Sequence, residues 1–144
     1  MIPYFIEEFQ NNKEKLQSAL KAHIEAKGVD FDTIDYKNLL ELVIKNCFKD
    51  ICYHDIKEID FGEYQGTLIF VFHRDVYQPA AYETYYTSLF YGSCSCCDTL
   101  LGIIDNVKYD DYDNPIIDEK LISDLMLICL HMVENINSFE RTKI

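Results

Sequence analysis

The sequence predicts an α+β domain with the element order ααβββαα, in which helices cover one face of a three-stranded antiparallel sheet. Apolar residues recur at helical spacing towards both ends of the chain, whereas the middle of the chain shows the alternation of strands. The 144 residues are 49% hydrophobic, which is enough to bury a core. We therefore expect a single domain over residues 1–144.

Two helices are predicted first. Residues 3–27 form an amphipathic helix that Gly28 ends, with Phe5, Phe9, Leu16, Leu20 and Ile24 on its apolar stripe. The second helix begins after Asp32 or Thr33, either of which can cap it. Its stripe consists of Leu39 or Leu40, Val43, Ile44, Cys47 and Ile51.

Three strands are predicted next, over residues 56–61, 67–73 and 82–91. A turn over residues 62–66 joins the first two strands. The second strand, with the run LIFVF, is apolar on both faces, and we therefore expect it at the centre of the sheet.

Two further helices complete the chain. Asp98 can cap a short helix that extends to Ile104, and an acidic loop follows over residues 105–115. The last helix, residues 118–137, has a wide apolar stripe and is expected to be largely buried. Residues 138–144 form a polar tail.

The charge of the chain is strongly negative, because 25 Asp and Glu outnumber 13 Lys and Arg and give −12. Such a chain repels phosphate groups, so we expect neither nucleic acid nor a membrane surface as a partner. Basic proteins, cationic ligands or metal ions are the more natural partners. The alternative is that the charge only keeps the protein in solution.

We expect a cytoplasmic protein with reduced thiols. Residues 1–8 lack the basic and apolar regions of a signal peptide. The longest apolar run, residues 125–133, is much shorter than the roughly 20 residues that cross a bilayer. Clustered cysteines in the cytosol more often indicate metal binding or catalysis than disulfides.

The decapeptide YGSCSCCDTL, residues 91–100, places three of the six cysteines at a predicted strand-to-helix turn. Cys94 and Cys97 have the CxxC spacing of one half of a structural zinc site. Cys129 and His131 on the last helix are the first candidates to complete it. The other candidates are His73, Cys47 and Cys52.

Two other interpretations of this turn remain open. A CxxC before a helix suits redox chemistry, since the helix N-terminus lowers the pKa of the first thiol, and Cys94 or Cys97 could pair with His131. Alternatively, these small residues only form a tight turn and are buried. In the apolar stretch 127–132, a histidine is more often a hydrogen-bonded core residue than a ligand.

The aromatic third strand is a candidate interaction surface. Tyr82, Tyr86 and Phe90 fall on one strand face, and Tyr85 and Tyr91 on the other. If one face covers the core, the other exposes tyrosine, which is a favoured anchor in protein interfaces. The alternative is ordinary packing of aromatic side chains within the sheet.

The acidic loop contributes Asp110, Asp111 and Asp113 to the candidate interaction surface. Its resemblance to a calcium loop fails, because Pro115 stands where the third ligand belongs. We expect a solvated loop. No Walker loop, dinucleotide turn, HExxH or GxSxG motif occurs, so we expect a non-enzymatic protein.

Three blocks of sequence, EYQGTLIF, YGSCSCCDTL and LMLICLHMV, resemble a family of small uncharacterised proteins from bacteriophages and prophages of low-GC bacteria. The resemblance covers about residues 56–136. The family usually has glycine at the position of Cys96, so Cys94, Cys97 and Asp98 are the parts carried over. The resemblance implies a virus-encoded accessory protein in the host cytoplasm and assigns no activity.

We therefore predict a small acidic phage-encoded protein that binds a host or phage protein through its tyrosine-rich strand and acidic surface. By analogy with other small phage proteins, inhibition of a host defence protein is the expected outcome. The first alternative is a zinc-binding protein that uses Cys94 and Cys97. The second is a thiol-dependent redox enzyme.

Overall fold

The computed structural model describes residues 3–29, 33–62, 65–92 and 98–139. Within them the chain has five α-helices: α1 (Pro3–Asn11), α2 (Lys13–Lys27), α3 (Tyr36–Cys47), α4 (Thr99–Asp105) and α5 (Glu119–Glu134). It has four strands: β1 (Lys57–Gly62), β2 (Gly66–His73), β3 (Thr84–Tyr91) and β4 (Asn137–Ser138). The α+β class is therefore confirmed, whereas the predicted three-stranded ααβββαα arrangement lacks one helix and one strand.

The sheet is an antiparallel meander in the order β1-β2-β3-β4. The predicted central position of β2 is confirmed, because it pairs with β1 on one side and with β3 on the other. Alternate residues of β2 (Leu68, Phe70 and Phe72) are buried, while the residues between them are not. The helices thus cover one face of the sheet.

A single cluster of buried side chains joins the helices to this covered face. The helix α5 contributes most to the cluster and is largely buried, as predicted. Thr87 of β3 is fully buried, and its hydroxyl donates to the carbonyl oxygen of Met132 in α5 over 2.6 Å. Within the described residues, no helix combines the length and the apolar character needed to cross a membrane.

The predicted single helix over residues 3–27 is wrong, because the helix breaks at Asn12. The Asn12 side-chain amide donates to the carbonyl oxygen of Glu8 at 2.9 Å and to that of Cys47 at 3.0 Å. A side chain that hydrogen-bonds to the backbone competes with helix continuation. In this position it also satisfies a carbonyl at the C-terminal end of α3.

The bounds of α3 also differ from the prediction. Its N-cap is Asp35, whose carboxylate accepts from the Asn38 N–H at 2.8 Å, and not Thr33. Asp32 lies outside the described residues. The helix ends at Cys47, and Ile51 instead forms a β-bridge with Arg74.

The last helix ends at Glu134, before the predicted limit at residue 137. The Asn135 N–H bonds to the carbonyl oxygens of His131 and Met132 and ends the helix. Ile136 is buried beyond that end, and the following residues form β4 against Tyr85 and Tyr86. A two-residue strand in a polar segment carries no periodic signal, which is why the sequence placed Asn137 at the end of the helix and Ser138 in the tail.

The third strand begins at Thr84, so its predicted start at Tyr82 is wrong. Tyr82 lies in a single 3-10 turn, Ala81–Glu83. The Glu83 carboxylate holds this turn, since it accepts from the Ala80 N–H at 3.2 Å and from the Arg74 guanidinium at 2.9 Å.

Asp98 caps α4 as predicted, and its carboxylate also joins three separate segments. One oxygen accepts from the Leu101 N–H at 3.0 Å and from the Tyr36 hydroxyl at 2.7 Å. The other accepts from the Gly92 N–H at 2.9 Å. The Tyr36 oxygen in turn accepts from the Leu100 N–H. Asp98 is buried and therefore connects the end of β3, the start of α3 and the start of α4.

The structure predicts that Asp98→Ala destabilises the protein by about 3 kcal/mol or more. The substitution removes a helix cap, which contributes about 1 kcal/mol, and leaves two further buried donors without an acceptor, at roughly 1–3 kcal/mol each. The matched control is Asp118→Ala, since Asp118 caps α5 from an exposed position through the Leu121 N–H alone. It should cost about 1 kcal/mol. Urea-induced unfolding measures both, and equal losses would contradict the linking role of Asp98.

Candidate functional site

The predicted metal or thiol site depends on Cys94 and Cys97, which lie in the segment 93–97, outside the described residues. Its two neighbours are defined: Gly92 and Asp98 are joined by the hydrogen bond at 2.9 Å. The prediction of zinc or redox chemistry at this turn stays a prediction.

The structure does not bring Cys129 and His131 together. Cys129 is completely buried in α5, and this burial raises the pKa of its thiol. His131 is exposed, which overturns its interpretation as a core histidine. Two residues correspond to about 200° around a helix, so the side chains leave α5 on opposite sides. His131 instead lines a groove of about 380 Å³ with Thr99 and Ile128.

The other candidate ligands are also dispersed. Cys47 is buried, and desolvation raises the pKa of its thiol to about 11. Cys52 is also buried, and its sulfur lies 3.6 Å from Nε2 of His54. Nε2 of His73 lies 3.1 Å from Oδ2 of Asp55. Among the residues that the structure describes, no three His, Cys, Asp or Glu side chains are grouped to hold a metal ion.

From Tyr85 onwards, the aromatic side chains of the third strand lie on the two faces that the sequence predicts. Tyr85 and Tyr91 lie on the covered face and pack against the core. The Tyr91 hydroxyl donates to Oδ1 of Asp60 at 2.5 Å, and this hydrogen bond raises the pKa of Tyr91 to about 12. Tyr86 and Phe90 occupy the opposite face, where Tyr86 packs on Phe139 at 5.2 Å between ring centroids. Tyr82 is exposed but outside the strand.

The face of the sheet opposite the helices, which we call the open face, carries a group of apolar side chains. The strand register places them together, since Phe61 pairs with Thr67 and Thr67 with Phe90. One step along, Ile59 pairs with Ile69, and two steps along Val71 pairs with Tyr86. The apolar residues of the open face are Ile59, Phe61, Ile69, Val71, Tyr86 and Phe90.

The exposure of this group is unusual for a solvated sheet face. Phe61 is 62% exposed, Phe90 is 58% exposed and Ile59 is 42% exposed. The sequence left open which face of the third strand is exposed, so Phe90 was not singled out, and Phe61 and Ile59 were missed. The alternation of charged and apolar residues over 58–61 places Ile59 and Phe61 on one face of the strand, but it does not say which face the helices cover.

The predicted acidic residues Asp110, Asp111 and Asp113 are all exposed. Asp110 accepts from the N–H groups of Tyr112 and Asn114, and the Asn114 bond is the largest cause that lowers the pKa of the Asp110 carboxyl. At the start of this loop, the Tyr109 hydroxyl donates to the Val29 carbonyl oxygen at 3.5 Å, close to the end of α2. In the described part of the chain, no hydrogen bond or ion pair joins it to β3, so the structure separates it from the aromatic strand.

The basic residues after residue 57 are few: Arg74, Lys108, Lys120, Arg141 and Lys143. Two of them are occupied, since Arg74 pairs with Glu83 at 2.9 Å and Lys120 with Asp124 at 2.8 Å. The excess of negative charge is therefore concentrated after residue 57, in the part of the chain that holds the acidic loop, α4 and α5 as well as most of the sheet.

Comparison with known proteins yields no family for this chain. No family model matches it, and no curated protein and no solved structure matches it either. The candidate site therefore depends on its own geometry, and the resemblance to phage proteins stays a prediction.

We expect the thiols of Cys47, Cys52 and Cys129 to resist a maleimide in the native protein. All three are buried, and burial raises the pKa of Cys47 and Cys129 away from the reactive thiolate form. Peptide mass spectrometry after labelling measures each site, and labelling in denaturant provides the control. Rapid native labelling of Cys129 would contradict the packing of α5.

We expect the free energy of unfolding to depend on pH through the ionisation of His73. Its Nδ1 lies 2.7 Å from the Arg74 carbonyl oxygen and its Nε2 lies 3.1 Å from Asp55 Oδ2, and both partners only accept. The Arg74 contact and then the Asp55 contact raise the pKa of His73. Its contribution is fully present below the unfolded pKa of about 6.5 and is lost as the pH rises through the folded pKa.

The measurement compares the unfolding free energy of the parent protein with that of His73→Gln at about pH 6 and about pH 8.5. We expect the difference to be larger at the lower pH. Asp55→Asn is the control, because the amide keeps an acceptor but loses the charge, and it should reduce this pH dependence. A difference that is equal at both pH values would refute the assignment.

Proposed function

We propose that this protein is a non-enzymatic accessory protein that acts by binding another protein through the open face of its sheet. The observation that carries the proposal is the pair of exposed aromatic side chains, Phe61 and Phe90, on either side of Thr67. The adjacent Ile59, Ile69, Val71 and Tyr86 extend this pair into a patch.

The patch is costly for a protein that acts alone. An antiparallel sheet with one covered face normally alternates apolar and polar residues, so that its outer face is solvated. Here six outer positions of three adjacent strands are apolar or aromatic, and the polar residues Lys57, Thr67 and Ser88 lie among them. Contiguous exposed apolar patches on soluble proteins typically mark interaction sites.

The scaffold suits a binding role. Strands lie about 4.8 Å apart, so the two phenylalanines, two strands apart, are separated by roughly 10 Å. The core side chains of β2 and the hydrogen bond from Thr87 to α5 fix β2 and β3, and β1 is held by its pairing with β2. Aromatic side chains on a rigid support lose little conformational entropy on binding and are frequent hot spots.

The charge of the chain supports a basic partner. Negative charge dominates the region that contains the sheet, and complementary charge accelerates association and selects partners. The resemblance to phage proteins adds, within this proposal, that the partner is a host or phage protein and that inhibition of a host defence protein is the outcome.

The test is quantitative affinity capture from lysate of a low-GC bacterium, with the double variant Phe61→Ser/Phe90→Ser. We expect the variant to lose proteins that the parent chain recovers, because truncation of an interface hot spot costs about 2 kcal/mol or more. Both side chains are exposed, so the variant should keep its unfolding free energy.

The matched control is Tyr77→Ser/Tyr112→Ser, since these aromatic side chains are 91% and 86% exposed and lie outside the open face. It should recover the same proteins as the parent chain. Identical recovery by all three forms would refute the proposed function.

A further inference from the structure

The strand β1 forms one edge of the sheet. It pairs with β2 on its inner side, and within residues 3–29, 33–62, 65–92 and 98–139 no strand pairs with its outer side. All six of its residues are exposed. In an antiparallel ladder, alternate residues direct their N–H and C=O groups to the same side, so the outer edge offers a row of donors and acceptors to another strand.

The side chains of β1 divide by chemistry between the two faces of the sheet. Ile59 pairs with Ile69 and Phe61 with Thr67, which places both apolar side chains on the open face beside Lys57. Glu58 pairs with Phe70 and Asp60 with Leu68, which places both carboxylates on the covered face. A fifth strand at this edge would therefore meet apolar groups on one face and carboxylates on the other.

We propose that β1 binds an extended segment of a basic partner protein as a fifth strand, in which apolar residues alternate with lysine or arginine. This inference rests on the proposed function, because it specifies the form in which the partner reaches the open face. The apolar residues of the segment lie beside Ile59 and Phe61 and enlarge the patch. Its basic residues lie beside Glu58 and Asp60.

The surroundings of the carboxylates favour a cation. Burial, followed by the charge of Asp35, raises the pKa of Glu58, and Lys37 only partly offsets these effects. The Tyr91 hydroxyl donates a hydrogen bond to Oδ1 of Asp60 and thereby orients this carboxylate. A lysine or arginine opposite these groups would relieve the repulsion among them.

The same carboxylates disfavour a second copy of this chain as the occupant. When two copies of β1 pair antiparallel about a two-fold axis, the register centred on Ile59 places Glu58 opposite Asp60 at two positions. The register centred on Glu58 places that residue opposite its own copy, and the register centred on Asp60 does the same for Asp60. Like charges directly opposite one another destabilise strand pairing, so the carboxylates disfavour these three registers, whereas they favour a basic strand.

The experiment uses the full chain, labelled with ¹⁵N, and a synthetic peptide in which valine alternates with lysine over nine residues. β1 is about 20 Å long, so such a peptide can cover the whole edge. We expect chemical-shift changes concentrated in the amides of Lys57–Gly62 and slowed hydrogen exchange at alternate residues of this strand. A peptide with glutamate in place of lysine should not bind.

Glu58→Lys should weaken binding of the lysine peptide about 2- to 30-fold, since it removes one favourable cross-strand pair and adds an unfavourable one. Glu25→Lys is the matched control, because it changes the net charge equally at an exposed position of α2. It should leave the affinity unchanged within about twofold.

Three results would overturn the inference: no binding of the lysine peptide at millimolar concentration, equal weakening by both charge variants, or shift changes confined to β2 and β3. The last result leaves the open face as the binding surface and removes only the edge. Failure of the proposed function would appear separately, as unchanged partner recovery by the Phe61→Ser/Phe90→Ser variant.

Discussion

The buried carboxylate of Asp98 is the constraint on which the arrangement of the sheet and the helices depends. It accepts hydrogen bonds from three segments that are distant in sequence, at Tyr36, Gly92 and Leu101. Each donor would cost free energy if it were buried without a partner. Since one side chain satisfies them all, the end of β3, the start of α3 and the start of α4 are held at one point. The hydrogen bond from the Gly92 N–H to Asp98 also joins the two residues on either side of the cysteine segment 93–97.

This arrangement uses only one face of the sheet for the core. The helices cover Leu68, Phe70 and Phe72, and the buried Thr87 ties β3 to α5. The strands are thereby fixed without any contribution from the other face. The open face can then carry aromatic side chains whose loss would cost little stability, and β1 can remain a fully exposed edge. A stable support on one side and an exposed apolar surface on the other suit the proposed binding role.

Several elements were predictable because their signals are local. The apolar run that places β2 at the centre of the sheet, the wide stripe of α5 and the cap at Asp98 all depend on nearby residues, and all are found in the structure. The errors occur where a distant group decides the local conformation. Asn12 breaks the first helix by reaching the Cys47 carbonyl, and β4 exists because Tyr85 and Tyr86 pair with it. The Glu83 carboxylate similarly favours a turn at Tyr82, since it binds Arg74.

The sequence by itself determined the class of the fold, the central position of β2 and the two faces of β3 from Tyr85 onwards, because periodicity and composition act over a few residues. It also determined the net charge of −12. Only the tertiary structure decided which sheet face the helices cover, and therefore that Phe61 and Ile59 are exposed beside Phe90. It likewise decided that Cys129 is buried in α5 and that His131 is exposed. The physical reason is that burial depends on contacts between elements far apart in the chain, which local patterns do not record.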